Sequence, residues 1–362
     1  LEELQELVRT AGGQGVAVVT QKRDAPNPAT YLGSGKVQEV KDLADTEHAD
    51  LVIFDDELTP VQQRNLSDAL EKRVLDRTQL ILDIFAQRAR TREGQLQVEL
   101  AQLNYTLPRI SSLYTKFERQ AGGIGLRGPG ETKLEADRRR IRQRIADLNR
   151  QIDEIRKHRR VQRASRERQG FPTAALVGYT SAGKSTLLNA LTDAEVYADP
   201  KLFATLDPTT RRATLPGGKP ILITDTVGFI RRLPHGLVAA FRATLEETVE
   251  ADVLLHVVDA SSPEMEEQME AVMDVLTDLR IQDKPIVTVL NKIDKVRDTY
   301  RLREMVANCP DTVYISALTG DGLKQLLLTV ERVLAHAERR KRQEQAEARE
   351  RELEQRRALR TL

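Results

Sequence analysis

The densest chemistry in the chain lies at residues 174–186, AALVGYTSAGKST. A short apolar run leads into Gly178, four variable residues (Tyr179, Thr180, Ser181, Ala182), then Gly183, Lys184, Ser185 and Thr186 and a helical continuation. This is the strand, glycine loop and helix of a phosphate-binding loop. Glycine at both ends lets backbone N–H groups approach phosphate oxygens without a Cβ in the way, and the helix after the loop aims its positive dipole end at the same place. Lys184 reaches the β- and γ-phosphates as a point charge, and the Ser185 hydroxyl is a candidate ligand for Mg²⁺. The chain therefore handles a nucleoside triphosphate.

Three further short motifs decide which one. Asp225, Thr226, Val227 and Gly228 come directly after an apolar strand pattern at 221–224. An acid there can hold Mg²⁺ through water, and the Gly228 amide can meet the γ-phosphate, so loss of that phosphate would release the segment beyond Gly228. Asn291, Lys292 and Asp294 close another strand (286–290) as NKID. The Asp294 carboxylate can accept from both N1–H and the exocyclic amine of guanine, a donor pair that adenine lacks. Ser316, Ala317 and Leu318 complete a base pocket after the strand at 313–316. Four motifs in this order, each at a strand end, describe a GTPase. A second Mg²⁺-binding hydroxyl is expected between the phosphate loop and Asp225, where Thr205, Thr209 and Thr210 are candidates. Thr205 is chosen for its separation from Ser185. Lys184, Thr205 and Gly228 are then the catalytic candidates.

These loops need strands and helices to hold them. Apolar strand patterns at 221–224, 253–258, 286–290 and 313–316 alternate with helical stretches, which describes a parallel sheet with helices on both faces over residues 171–336. Residues 1–76 read as a smaller α/β domain. Its expected elements are an opening helix, a strand at 15–20 (GVAVVT), a helix from about Gly35, a strand at 51–54, a helix begun by Thr59 and Pro60, and a strand at 73–75. The run Gly33-Ser34-Gly35-Lys36 lacks phosphate-loop spacing, and a glycine turn before a helix explains it as well as a second phosphate site does. Residues 77–170 read as two helices joined at a glycine-rich stretch, 122–130 (GGIGLRGPG). Leu96, Leu100, Leu103 and Leu107 line the first, which Pro108 should interrupt. Leu134, Ile141, Ile145, Leu148, Ile152 and Ile155 make a heptad seam on the second. An antiparallel hairpin with the glycines at its tip is the simplest arrangement. Residues 337–362 are mostly Arg, Glu, Gln and Ala and read as a charged solvated helix or extension.

With 56 Lys+Arg against 55 Asp+Glu the net charge is +1, so no global field announces a nucleic-acid partner. Charge is concentrated locally instead. The second hairpin helix carries Arg138, Arg139, Arg140, Arg159, Arg160 and Arg163 beside Arg127 in the glycine-rich stretch and Lys133 just after it, a pattern suited to a phosphate backbone. One cysteine, Cys309, excludes an internal disulfide framework and fits a reducing compartment. Five scattered histidines show no metal-ligand spacing, and the apolar runs are too short to span a membrane. A cytoplasmic protein is the expectation. The chain opens at Leu1 within a helical pattern, so residues are expected to precede it.

The residues Phe203, Ala204, Thr205, Leu206, Asp207, Pro208 and Thr209 (FATLDPT), the run DTVGFIRRLPHGLVAAFRATLEE at 225–247 and GGIGLRGPGETKLE at 122–135 together resemble the HflX family of ribosome-associated GTPases. The resemblance covers about residues 1–335. It supports Thr205 as the switch threonine and places Phe203, Ala204, Leu206 and Asp207 around the nucleotide with it. It implies a protein that binds GTP and GDP with Mg²⁺ and, as a monomer away from the ribosome, binds the large ribosomal subunit and its RNA. The hairpin would lie near the peptidyl-transferase centre, and the GTP state would split ribosomes into subunits. Many members carry Asn where Ser181 stands, a position linked to monovalent-cation use, and some extend into a further C-terminal domain. The competing reading is a scaffolding GTPase whose hairpin mediates dimerisation.

Overall fold

The computed structural model describes residues 2–110, 129–168, 170–192, 202–203, 205–231, 245, 247–281, 283–297, 302, 304 and 309–358. Two compact units divide the chain. Unit 1 takes residues 1–163, 201–207 and 233–243, and unit 2 takes 164–200, 208–232 and 244–362. None of the described helices is long and apolar enough to cross a membrane.

Unit 1 begins with α1 (Glu2–Thr10), α2 (Ser34–Thr46), β1 (Leu51–Phe54), α3 (Pro60–Leu70) and β2 (Arg73–Asp76). β1 and β2 pair in parallel, Leu51 opposite Arg73 through Phe54 opposite Asp76. The start of α3 is dictated by its sequence. Thr59 caps it reciprocally with Gln62, the two backbone amides being met by the two side chains, and Pro60 stands where its missing N–H costs nothing. A small core of Val37, Val40, Phe54, Leu58, Leu66, Leu70 and Val74 joins the two helices to the strands.

One reading of this region changes, and one that the sequence leaves open takes the form of a helix start. The stretch 15–20 forms no strand: it is irregular, with Val16 and Val18 about half exposed, and the sheet has two strands. β-branched residues favour a strand only when a neighbouring strand supplies ladder hydrogen bonds, and among the described residues none pairs with this one. The Gly33–Lys36 run is a helix start, with Gly33 at the cap, its N–H donated to Gln21 Oε1 (3.1 Å) and Lys36 paired to Glu39 (2.8 Å).

The hairpin does not begin at once after β2. α4 (Arg77–Arg88) is capped by Asp76, whose Oδ1 accepts from the Gln79 amide (2.9 Å), and it buries Leu80, Ile81, Leu82, Ile84 and Phe85. A short break precedes α5 (Arg92–Thr106), which gives way at Leu107–Arg109 to a single 3-10 turn containing Pro108. α6 (Pro129–Arg168) is the long basic helix, with Pro129 and Gly130 inside its first turn; residues 122–128, including Arg127, lie outside the described residues. Leu96 of α5 packs with Leu148 and Ile152 of α6, flanked by Leu100, Leu103 and Ile155. Glu93 pairs with Arg159 (2.7 Å) and Glu99 with Arg144 (2.6 Å). Rising numbers on α5 meet falling numbers on α6, so the pair is antiparallel.

Unit 2 holds a six-stranded sheet in the order β4-β5-β3-β6-β7-β8. The strands are β3 (Thr173–Gly178), β4 (Thr209–Thr214), β5 (Pro220–Asp225), β6 (Val253–Asp259), β7 (Ile286–Asn291) and β8 (Thr312–Tyr314). Five run parallel; β4 is an antiparallel edge strand, Thr209 opposite Asp225. The strands expected from the sequence run parallel; β4 is not among them, and it is antiparallel because the connection Leu215–Lys219 is a tight turn closed by backbone hydrogen bonds, whereas a parallel crossover needs a dozen or more residues. α7 (Lys184–Thr192) and α9 (Leu323–Ala358) cover one face through Leu187, Leu188, Leu326 and Val330. α8 (Met265–Asp278) covers the other through Met265 against Val258 and Leu290. The central strand β6 is buried on both faces, which is why VLLHVV is apolar at every position but His256. α9 runs without interruption past residue 336, so the charged segment up to Ala358 continues the last helix of this unit.

The seam of the hairpin is open to a direct test. Leu148 is fully buried, so Leu148→Ala should cost about 2–5 kcal/mol through the cavity it leaves. Glu99→Ala, which breaks an exposed ion pair, should cost less than about 1 kcal/mol. Urea unfolding of the full chain monitored by circular dichroism separates the two, and equal midpoints would show that the seam is not the hairpin's core.

Candidate nucleotide-binding site

β3 delivers the chain to the phosphate loop at the carboxyl edge of the sheet, where the strand order reverses on either side of it. That is the place where open α/β sheets bind ligands. Gly178 must be glycine because a Cβ there would strike the Val257 carbonyl of the adjacent strand. Gly183 (φ +95) must be glycine because its Cβ would strike the Asn291 carboxamide, in a conformation L side chains rarely adopt. Between them Ser181 sits in the left-handed region (φ 60). Such a conformation is retained where the surroundings over-determine it, and here it turns the loop over the start of α7.

Lys184, the first residue of α7, is buried and donates from Nζ to the carbonyls of Gly178 (3.1 Å) and Tyr179 (3.0 Å). Burial pushes its pKa down to about 8, opposed by the neighbouring Asp225 carboxylate. Ser185 Oγ donates to Asp225 Oδ2 (2.6 Å), so the hydroxyl and the carboxylate expected at a magnesium ion already converge. These hard oxygen donors suit Mg²⁺, which is bound by a few protein oxygens together with phosphate oxygens and waters. Among the described residues no group of three or more His, Cys, Asp or Glu side chains could hold a metal ion by itself. His256, on β6 and opposite Val177 of β3, is buried and held neutral, its pKa pushed down to about 4 by burial and then by the charge of Lys184.

The segment after β5 is laid against the phosphate loop. Thr226 Oγ1 donates to the Leu176 carbonyl (2.6 Å), and Tyr179 and Phe229 form a parallel bridge in which Phe229 N–H donates to Gly178 (3.1 Å) and Thr180 N–H to Phe229 (2.8 Å). A Cβ on Gly228 would come within 2.8 Å of Thr180 Cα and 3.1 Å of Lys184 Nζ, so this residue lies beside the lysine expected from the sequence to meet the phosphates. The Phe229 side chain is buried. Arg231 donates its backbone N–H to the Tyr179 phenol oxygen (2.9 Å) and turns its guanidinium to Glu264 (3.3 Å) and Glu267 (3.6 Å) at the start of α8; Arg232 lies outside the described residues.

The base-side motifs close around one side chain. Asn291, buried at the end of β7, donates from Nδ2 to the Ala182 carbonyl (2.8 Å) and accepts at Oδ1 from the Ala317 amide (2.9 Å). Lys292 (φ 64) donates to the Ser181 carbonyl (2.8 Å) and to Asp259 Oδ2 (2.6 Å). Ser316 Oγ donates to Asp294 Oδ1 (2.6 Å), which fixes that carboxylate's orientation. Leu318 stands 78% exposed, an apolar surface at the edge of the same cluster. Sequence reasoning did not single out Asp259 or the Tyr179 phenol. Asp259 carried a signal, an acid at the end of a buried strand of the same sheet; the phenol carried none.

Unit 2 thus brings together Gly178, Tyr179, Thr180, Ser181, Ala182, Gly183, Lys184, Ser185, Thr186, Asp225, Thr226, Val227, Gly228, Asn291, Lys292, Asp294, Ser316, Ala317 and Leu318. The segment expected from the sequence to carry the switch threonine belongs to the other unit. Phe203, Thr205, Leu206 and Asp207 cluster with unit 1, and Ala204 lies outside the described residues.

This sheet, with this loop and these strand ends, defines a P-loop GTPase. Family models match in three consecutive pieces: GTP-binding GTPase N-terminal over residues 1–86, GTP-binding GTPase Middle Region over 88–166 and 50S ribosome-binding GTPase over 173–292. The GTPase HflX of Caldanaerobacter subterraneus is 53% identical over 335 residues, 92% of this chain and 77% of that protein. The GTPase HflX of Escherichia coli K12 is 50% identical over 327 residues, 90% of this chain and 77% of that protein. A crystal structure of SsGBP in complex with GDP is 28% identical and superposes with a TM-score of 0.51 over 92% of this chain and 95% of that one. The chain belongs to the HflX family of GTPases.

Two measurements test the site. Asp294→Asn should lose both guanine contacts, weakening GTP binding by on the order of 2 to 3 kcal/mol and shifting preference to xanthine nucleotides; unchanged GTP affinity in a direct titration would remove Asp294 from the base pocket. The second concerns Lys184. Phosphate stabilises the ammonium form, so above about pH 8 nucleotide binding must take up a proton. Affinity is then fully present below pH 8 and falls as pH rises, by up to about tenfold per unit until the pKa of the complex is passed. Calorimetry in buffers of different ionisation enthalpy should record that uptake near pH 9; no uptake would mean that the lysine stays charged in the free chain.

Proposed function

We propose that this GTPase works on the ribosome: it binds the large subunit through its basic hairpin and, with GTP bound, separates ribosomes into subunits. The observation that carries the reading is the match of residues 173–292 to the 50S ribosome-binding GTPase family. It is supported by α6, where Lys133, Arg139 and Arg140 are exposed, and by the sequence, which adds Arg127 in the glycine-rich stretch 122–130. Cations at this spacing fit a phosphate backbone, and a glycine-rich strand of chain can pass close to folded RNA. The place of action is the cytoplasm, where ribosomes are.

In the hydrolytic step Lys184 leaves its two carbonyl partners for the β- and γ-phosphates, the Gly228 amide meets the γ-phosphate, and Asp294 with Ser316 behind it reads guanine. Ser185 and Thr205 would hold Mg²⁺, with Asp225 reaching it through water, and the ion would neutralise charge on the β- and γ-phosphate oxygens. The residue after Gly228 is commonly one that orients the attacking water. Here it is Phe229, buried and without a polar atom on its side chain. Turnover is therefore slow on the isolated chain, and ribosomal contact accelerates it.

The test is gradient sedimentation of ribosomes with the full chain and a non-hydrolysable GTP analogue. Subunits should separate, and steady-state turnover with GTP should rise on adding ribosomes. Replacing residues 122–128 by a short Ser/Gly connection should leave GTP affinity unchanged and abolish the separation. Arg138→Gln, Arg139→Gln and Arg140→Gln together should weaken ribosome binding and flatten its salt dependence by up to roughly 0.7 to 0.9 log units per lost phosphate contact. Ribosomes that neither bind nor accelerate the protein would overturn the reading, and a hairpin-dependent dimer in the same samples would replace it with a scaffolding role.

A further inference from the structure

The segment FATLD, from which the sequence draws the switch threonine, is anchored in unit 1 by two of its side chains. Phe203 is 2% exposed and packs edge-to-face on Phe85 of α4, the ring centroids 4.6 Å apart. Leu202 and Leu206 are buried with it. Asp207 Oδ2 accepts from the amides of Arg90 (3.0 Å) and Thr91 (2.8 Å), and its Oδ1 accepts from the Thr91 hydroxyl. That hydroxyl is in turn the cap of α5, accepting from the Gly94 amide (3.0 Å). Gly94 is shaped to this contact, since a Cβ on it would strike Asp207 Oδ1. One carboxylate therefore occupies the amides at the α4–α5 break and orients the residue that starts the first helix of the hairpin. A negative charge at a helix N-terminus is a favourable placement, and a three-bonded one is well defined.

We propose that Asp207 is a positioning residue which couples nucleotide state at Thr205 to α5 and so to the hairpin. The inference rests on the assignment of Thr205 as the switch threonine. Two residues of extended chain span at most roughly 7 Å, so Thr205 cannot move far without pulling on Asp207. Leu206 between them is buried, which removes the slack that an exposed linker would offer. Capture of Thr205 by a nucleotide-bound metal must be accommodated at the Asp207 bonds, and conversely the state of the hairpin's base sets how readily Thr205 is delivered. Such reciprocity is what linkage requires of two sites that bias one element.

Hydrogen exchange on the full chain, comparing GDP with a non-hydrolysable GTP analogue in Mg²⁺, reads the tie directly. Residues 178–186 should be protected by either nucleotide. Residues 88–95, which contain the amides bonded to Asp207 and to Thr91, should exchange at rates differing by about threefold or more between the two nucleotides. The difference should vanish in Asp207→Ala and also in Thr205→Ala, which leaves the Asp207 bonds intact and guards against a variant that merely misfolds. Asp207→Asn, whose carbonyl can still accept from the two amides, should retain it. Protection at 178–186 with exchange at 88–95 indifferent to the nucleotide would overturn the tie alone, as would a difference that survives in Asp207→Ala. Absence of protection at 178–186 would overturn the nucleotide reading, and the tie with it.

Discussion

The Asn291 carboxamide is the interaction on which the nucleotide site depends. A buried side-chain amide must satisfy its donors and its acceptor or lose desolvation energy on the order of 1 to 3 kcal/mol. Asn291 does so across three strand ends, giving a hydrogen bond to the phosphate loop at Ala182 and taking one from Ala317 beyond β8. The positions of the phosphate loop, the NKID turn and the Ser316–Leu318 turn are therefore set by one planar group. Gly183 is part of the same arrangement, since only a residue without Cβ lets the amide lie against the loop. Lys292, next in sequence, repeats the pattern with charge, spanning Ser181 and Asp259 from a left-handed backbone.

Against that rigid base the charged groups are held in a form that phosphate would complete. Lys184 is surrounded by protein and satisfied by two carbonyls, with Asp225 nearby and engaged by Ser185. Burial in this environment lowers the lysine's proton affinity, and a phosphate would raise it again. The low dielectric that makes an unpartnered charge costly also makes each donor aimed at a phosphate more effective than it would be in water. His256 under the same loop shows the other side of this balance. A second cation beside Lys184 is unfavourable, and the imidazole stays neutral.

Unit 1 is organised by helix ends rather than by a large sheet. Asp76 ends β2 and caps α4; its other oxygen accepts from the Leu58 amide (3.1 Å) and from Arg109 (3.4 Å), so one buried carboxylate joins a strand, a helix start and the turn after α5. Thr91 caps α5 and is itself held by Asp207. Such caps act through direction as well as energy. Each ties the start of a helix to a residue outside that helix.

Much of this was legible in the sequence because it is local. Glycine spacing, an apolar run before a phosphate loop, Thr59 before Pro60 and a heptad seam each state a backbone conformation within a few residues of themselves; the first three take the form expected, and of the seam Leu148, Ile152 and Ile155 pack as expected. The same holds for the family, since its motifs are short and contiguous. What needed the tertiary structure depends on partners distant in the chain. GVAVVT has the composition of a strand but no ladder neighbour. β4 is antiparallel because of the turn that joins it to β5. Asp259 matters because β6 and β7 are adjacent, so that it meets Lys292. Asp207 reads as part of a nucleotide switch, yet its hydrogen bonds go to residues more than a hundred positions earlier. Sequence by itself determined the chemistry the chain can perform, because that resides in residue types at fixed spacing. Only the tertiary structure decided what each loop is tied to, because a hydrogen bond is settled by distance in space and not by separation along the chain.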